Sequence, residues 1–175
     1  MIPGKGEYRK VKENATPNEV GELMRQLIIE LAKRDKLTKE CTTELFRISQ
    51  DYPSFMFNLG NFAYNSAFFV PDPPGSQVLR TVNAVLRDKS ANCVDYTIFI
   101  GALAKCAGLN VVIRIVQCPG QKSYGHVYPI VNNTPMDITI GQDQSGSERE
   151  IRKGGSVPIL GVEVPYLKKM DILVA

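Results

Sequence analysis

A run of residues about as long as a typical helix begins at Cys93 and carries almost no charge. Between Asp95 and Lys105 every residue is uncharged, and the pattern continues through Cys106 and Ala107. A helix that is apolar on all sides has no face to present to water, so it belongs in the interior of a domain. We therefore predict a buried helix, with the rest of the fold built around it.

Residues at both ends of this run fit a helix. Asn92 is a preferred N-cap residue, because its side-chain oxygen can accept a free amide of the first turn. Cys93 is then the first helical residue, and Asp95 places a negative charge near the positive end of the helix dipole. Gly108 is well placed to end the helix, since glycine adopts the left-handed conformation at low cost.

The segments before this helix have mostly helical patterns. Thr16, Pro17 and Glu19 predict a capped helix start, and apolar residues follow at helical spacing to about Lys33. The other predictions for this half are an irregular arm over 1–15, a helix that starts after Thr38 and stops before Pro53, aromatic core residues over 53–70, and a helix over 77–87.

After residue 108 the pattern changes to short β-branched runs between turn residues, which is typical of strands. Helices followed by strands predict an α+β fold, with a helical N-terminal half and then the central buried helix packed on an antiparallel β-sheet. The predicted elements are strands over 111–116, 127–131 and 136–140, a long loop over 141–156, and one or two late strands over 162–167 and 172–174.

Composition limits the classes of protein that the chain can belong to. Its 175 residues, 43% of them hydrophobic, suffice for a single domain over 1–175, with a helical portion over 1–75 and a second portion over 76–175. The formal charge of +3 gives no strong signal for nucleic acid. With neither a signal peptide nor an apolar run of the ~20 residues that a membrane span needs, we expect a cytoplasmic protein.

The cysteines and the single histidine argue against two kinds of site. Cys41, Cys93, Cys106 and Cys118 show no CxxC pairing, which argues against zinc. A chain of this length does not need disulfides to stabilise it, so we expect reduced thiols. We expect neither a metal nor another cofactor.

The position of Cys93 suits a nucleophile better than a core residue. Free amides and the positive end of the dipole at a helix N-terminus favour a thiolate, and they can stabilise an oxyanion. Cys106 lies near the other end of the same helix, where the dipole disfavours a thiolate, and we assign it to the core. Gln77, Asn83 and Asn92 are candidates for a further oxyanion or substrate contact.

A thiolate nucleophile needs a base that later donates a proton to the leaving group. His126 is the only histidine, and it opens a predicted strand after the flexible segment 120–125. Asp137, in the next apolar strand, is the natural residue to orient the imidazole. If residues 132–133 form a two-residue turn, His126 lies opposite Thr139, and Asp137 is its diagonal neighbour on the same face.

Three segments resemble the transglutaminase-like superfamily within the papain-like group: ANCVDY over 91–96, HVY over 126–128 and MDIT over 136–139. The resemblance covers roughly residues 77–140 and implies a transglutaminase-like core over 76–175. It also implies that Cys93 is the nucleophile, His126 the base and Asp137 the orienting residue. The family usually has Gly-Asp before the cysteine, where this chain has Ala91-Asn92. The chain is most similar to compact microbial and phage-encoded members.

The pattern of these residues predicts a thiol enzyme that acts on amide bonds of a peptide or protein substrate. Hydrolysis, by a peptidase or amidase, is preferred over cross-linking because it needs no second substrate site. The alternative is a non-catalytic structural protein that retains the fold, virion-associated if the chain is phage-encoded. Cleavage of peptidoglycan peptides is a third hypothesis. The sequence does not indicate an oligomeric state.

Overall fold

The computed structural model of the protein describes residues 8–73, 75–140, 142 and 158–175. The helices are α1 (Pro17–Arg34), α2 (Lys36–Arg47), α3 (Tyr52–Ser66), α4 (Val82–Asp88) and α5 (Cys93–Cys106). The strands are β1 (Tyr8–Lys10), β2 (Phe68–Phe69), β3 (Val78–Arg80), β4 (Ser90–Ala91), β5 (Val111–Gln117), β6 (His126–Val131), β7 (Thr134–Pro135) and β8 (Lys168–Val174).

The main sheet has four antiparallel strands in the order β7-β6-β5-β8. Helix α5 packs against β6 and β5, and α1 packs against both α5 and β8. Two smaller pairs, β1 with β3 and β2 with β4, lie outside this sheet. The α+β prediction is therefore confirmed, with a mainly helical first half and the helix that carries Cys93 packed on an antiparallel sheet.

The prediction of a buried central helix is also confirmed. Every residue of α5 from Val94 to Ala104 is buried. Gly108 has a φ of +81°, and its amide donates to the Lys105 carbonyl, so it ends the helix as predicted. Despite this apolar character, no helix among the described residues is both long and apolar enough to cross a bilayer.

The starts of the first two helices follow from their caps. Thr16 Oγ1 accepts from the Glu19 amide at 3.2 Å, and Glu19 accepts from the Thr16 amide at 2.7 Å, which confirms the predicted capping box of α1. Helix α2 begins at Lys36, earlier than predicted. The reason is Asp35, whose carboxylate accepts from both the amide and the hydroxyl of Thr38 and so caps the helix.

The helix predicted over 77–87 starts later than expected. Thr81 caps α4 by accepting from the Ala84 amide, and the helix begins at Val82. The residues just before it form β3, which pairs antiparallel with β1 inside the segment predicted as an irregular arm. A local sequence pattern does not reveal a pairing between segments so far apart in the chain.

Most of the aromatic segment over 53–70 lies in α3 and β2. Phe55 is fully buried and Phe69 nearly so, as expected of core residues. Phe57 is 47% exposed, so the prediction that the aromatics pack a core is wrong for this residue. Helix α3 has one face toward the core and another toward solvent, and Phe57 lies on the second.

The last part of the described chain contains one strand rather than two. Residues 162–167 are irregular, and β8 includes the predicted strand over 172–174. Val162 and Leu167 are 50% and 64% exposed, whereas Val164 and Tyr166 are half-buried and pack against the cluster around Tyr128. The loop predicted over 141–156 falls outside the described residues, except for residue 142.

Candidate active site

Cys93 is held at the first position of α5 by the cap that precedes it. Asn92 has extended backbone, and its Oδ1 accepts from the amides of Val94 at 3.0 Å and Asp95 at 3.1 Å. Asp95 Oδ2 in turn accepts from the Asn92 amide at 3.0 Å, which completes a capping box. The Cys93 thiol is half-buried at the positive end of the helix.

Asp95 also anchors the helix start to a second segment. Its side chain is fully buried, and Arg80 Nη1 donates to its Oδ2 at 2.6 Å while the Arg80 amide donates to Oδ1 at 3.0 Å. Burial raises the pKa of Asp95 to about 6, although the Arg80 guanidinium and the backbone amides of Asn92 and Arg80 act to lower it. The carboxylate is therefore ionised at neutral pH and paired with the guanidinium.

Sequence reasoning missed Arg80 and its second partner, Asp72. Arg80 Nη1 donates to Asp72 Oδ1 at 3.1 Å, and the Val78 amide donates to Asp72 Oδ2 at 3.1 Å. These contacts fix the segment that contains Gln77 against the start of α5. The one signal in the sequence was Asp95 itself, because a lone carboxylate in an apolar helix needs a buried partner.

His126 joins Cys93 to Asp137. Its Nε2 lies 2.6 Å from Asp137 Oδ2, and its ring lines the same cavity as Cys93, whose side chain is among the groups that raise the pKa of the imidazole. The His126 side chain is 12% exposed and that of Asp137 is 1% exposed. Since Nε2 faces the carboxylate, Nδ1 is the ring nitrogen left for the sulfur. The structure thus brings together all three residues singled out in the sequence.

Asp137 reaches His126 from a turn and not from a strand. The turn at residues 132–133 is confirmed, with positive φ at both residues and Val131 paired with Thr134, but β7 ends at Pro135. Residues 136–140, predicted as a strand, leave the sheet. Asp137 Oδ1 accepts from the amide of Thr139 at 3.1 Å and from its hydroxyl at 2.6 Å, so a local turn replaces the predicted cross-strand position of Thr139.

The two neighbours of His126 determine its charge. Burial by itself lowers the pKa of the imidazole, but the hydrogen bonds with Asp137 and Cys93 outweigh this effect and raise the pKa to about 10. An imidazolium is therefore stabilised between the carboxylate and the sulfur. A protonated His126 is ready to donate a proton to a departing group.

The raised pKa of His126 predicts a pH-dependent stability. Its stabilising contribution is complete below the ordinary histidine value near pH 6.5 and is lost as the pH rises through about 10. In urea titrations, we expect the free energy of unfolding to fall relative to His126→Gln across this window, by at most about 1.4 kcal/mol per pH unit. Other groups titrate in both the native protein and His126→Gln, so only the difference between their two free energies of unfolding reports on His126. A difference that stays constant across this pH window would contradict the prediction.

Tyr128 supports His126 from within the same strand. The two rings have centroids 5.7 Å apart, and the Tyr128 hydroxyl donates to Glu163 Oε1 at 2.7 Å. Arg114 Nη1 donates to the same carboxylate oxygen at 2.6 Å. Burial and the bond to Glu163 raise the pKa of Tyr128, which keeps its hydroxyl protonated. The network holds the aromatic ring beside the imidazole.

Two cavities meet at Cys93. The larger, of about 500 Å³, includes Asp72 and Gln77 in its lining, and the smaller, of about 200 Å³, includes Gln77 and His126. Gln77 therefore lines both cavities together with Cys93, although it does not lie on the helix that we predicted. Asn92 contacts the larger cavity, but its side-chain oxygen caps α5.

The other three cysteines are free and have no comparable setting. Burial raises the pKa of Cys41, which lies in α2. Cys106 is half-buried at the end of α5, so its assignment to the core is wrong. Cys118 lies in the turn between β5 and β6. No group of three or more metal-ligating side chains is present among the described residues.

Comparison with protein-family models gives no match, and neither does comparison with curated proteins. Among solved structures, a candidate cysteine protease from Cytophaga hutchinsonii aligns with 95% of this chain and 62% of its own, at a TM-score of 0.50 and 11% identity. A candidate protease from Parabacteroides distasonis aligns with 65% of this chain and 25% of its own, at a TM-score of 0.47 and 14% identity.

The chain spans less than two thirds of the length of either solved structure. At 11% identity the likeness to the Cytophaga protein concerns the fold alone. The α+β architecture, with a helix that begins at Cys93 and packs on an antiparallel sheet, is consistent with the papain-like fold of cysteine proteases.

Proposed function

We propose that this protein is a thiol hydrolase of amide bonds in peptides or proteins, with Cys93 as nucleophile, His126 as acid and base, and Asp137 as the orienting residue. The observation that carries the proposal is the position of His126, which lies 2.6 Å from Asp137 and lines one cavity together with Cys93 at the start of a buried helix. The same constellation serves nucleophilic catalysis on unrelated folds.

The geometry supports acyl transfer in two balanced steps. The Cys93 thiolate attacks the amide carbonyl carbon, the C–N bond breaks, and the His126 imidazolium gives its proton to the departing amine, which leaves a thioester. Water then attacks the thioester and gives a proton to the neutral imidazole. The C–S bond breaks to release the carboxylic acid, and the thiolate and imidazolium are restored.

The oxyanion formed in each step needs nearby hydrogen-bond donors. We assign this role to the Cys93 amide, at the free end of α5, and to the Gln77 side chain, because Gln77 lines both cavities together with Cys93. Asn92 is the less suitable candidate, because its side-chain oxygen already accepts two amides of the helix. We assign Asn92 the role of holding the nucleophile in place.

The order of a helix-borne cysteine, a strand-borne histidine and a following aspartate supports a relationship to the transglutaminase-like superfamily. Such a site can pass its acyl group to water or to an amine. We propose hydrolysis, because water needs no second binding site. The name of the Cytophaga structure, a candidate cysteine protease, agrees with peptide hydrolysis.

Selective alkylation tests the proposed nucleophile. At about pH 6 an ordinary thiol, with a pKa of ~8.5, is almost wholly protonated and reacts slowly with limiting iodoacetamide. We expect Cys93 to be alkylated about tenfold or more faster than the other three cysteines in the native protein, as measured by peptide mass spectrometry. The preference should disappear in His126→Ala, because the imidazolium partner of the thiolate is lost.

The matched control is Cys106, which lies at the opposite end of the same helix. It should react slowly in the native protein and at the same rate in His126→Ala. Equal and slow labelling of all four cysteines in the native protein would contradict the proposal and favour a non-catalytic protein with this fold.

A further inference from the structure

The smaller of the two cavities at Cys93 lies on the His126 side of the thiol, and it is formed largely by apolar side chains. Met24, Ile115 and Val127 are at most 6% exposed and make up its floor. Pro17 and Val20, from the first turns of α1, form part of the wall. The volume of about 200 Å³ suits one side chain, since an apolar cavity of ~150 Å³ holds one benzene molecule.

A glycine allows α1 to come close enough to form this wall. A Cβ at Gly21 would lie 2.2 Å from Ile172 Cδ1 and 2.9 Å from Ile115 Cδ1, so a larger residue at this position would require both isoleucine side chains to shift. The contact places the neighbouring Val20 beside the cavity. The helical N-terminal half thus contributes directly to the surroundings of the thiol.

Charge distinguishes the two cavities. Apart from Cys93 and His126 themselves, the described residues that line the smaller one are uncharged, whereas the larger is lined by Lys12, Glu13 and Asp72. Burial of a charged group without a partner is costly, so the smaller cavity favours an aliphatic occupant over a charged or polar one.

We propose that this cavity receives an aliphatic side chain of the substrate residue on the leaving-group side of the cleaved bond. The inference rests on the proposed function, because His126 must lie within hydrogen-bond reach of the amine to which it gives its proton. The departing residue therefore lies on the His126 side of Cys93. The acyl part of the substrate occupies the larger cavity on the other side.

Acyl transfer to added amines tests this assignment. By microscopic reversibility, an amine that attacks the thioester binds where the leaving group departs. The native protein is acetylated with p-nitrophenyl acetate and exposed to leucinamide, asparaginamide or glycinamide, and the N-acetyl products are measured by mass spectrometry. We expect leucinamide to react about tenfold or more efficiently than either of the others, as burial of one aliphatic side chain predicts.

Variants of Val20 make the test specific to the cavity. Val20→Phe should fill it and abolish the preference for leucinamide, and the nearly isosteric Val20→Thr should weaken the preference through its buried hydroxyl. Val162→Phe, at a position that is 50% exposed and outside both cavities, is the matched control and should retain the preference.

The outcomes separate this inference from the proposed function. If acetyl-Cys93 forms and hydrolyses but leucinamide has no advantage, or if the advantage survives in both Val20→Phe and Val20→Thr, the inference is overturned and the proposed function stands. If no acetyl group is found on Cys93, the proposed function fails and the inference fails with it.

Discussion

Serine in place of Cys93 is expected to reduce acetyl-enzyme formation from p-nitrophenyl acetate by on the order of 10³-fold or more. The serine hydroxyl is not ionised near neutral pH, and the site offers an imidazolium, which is suited to pair with a thiolate and not to remove a proton from an alcohol. The measurement is the burst of p-nitrophenolate together with the mass of the intact protein.

Cys106→Ser is the matched control for this prediction, since it makes the same chemical change at the other end of α5. It should leave the burst unchanged, because the C-terminal end of a helix does not stabilise a thiolate. A burst of normal size in Cys93→Ser, or an equal loss in both variants, would show that Cys93 is not the nucleophile.

Asp95→Ala is expected to lower the free energy of unfolding by about 3–5 kcal/mol, because it removes one partner of a buried ion pair. Arg80, whose side chain is 16% exposed, would lose its fully buried partner, and the Asn92 amide would lose its acceptor. The measurement is urea unfolding at about pH 7.5, where the carboxylate, with a pKa of about 6, is ionised.

Two comparisons test the cause of this loss. Glu44→Ala removes an exposed partner of Arg47 and should have little effect on the free energy of unfolding, because solvent screens this pair. Asp95→Asn keeps a side-chain oxygen that can accept from a backbone amide, and Arg80 still pairs with Asp72, so this variant should cost less stability than Asp95→Ala. A loss in Asp95→Ala no larger than that in Glu44→Ala would contradict a structural role for the pair.

The correct predictions depended on residues that are close in sequence. The cap at Asn92, the capping box of α1 and the turn at residues 132–133 each involve groups within a few positions of one another. The burial of α5 followed from its composition alone, since no face of the helix could favour water. The position of Cys93 at a helix N-terminus was therefore readable from the sequence.

The wrong predictions concern competition between local and distant partners. Residues 136–140 have the alternating pattern of a strand, but Asp137 forms a local turn with Thr139 and leaves the sheet. The segment before α4 has apolar residues at helical spacing, yet it pairs with β1 as a strand. In both cases the pattern fits two structures, and contacts with the rest of the molecule decide between them.

The buried helix, its capped start and the three residue types suited to thiol chemistry could be read from the amino-acid sequence alone. The folded chain was needed to show that His126 lies against Asp137 and lines a cavity with Cys93, that Arg80 pairs with Asp95, and that α1 forms a wall of that cavity. The difference lies in the sequence separation of the interacting residues. Caps and burial depend on neighbouring residues and on composition, whereas ion pairs and cavities depend on where distant segments meet when the core closes.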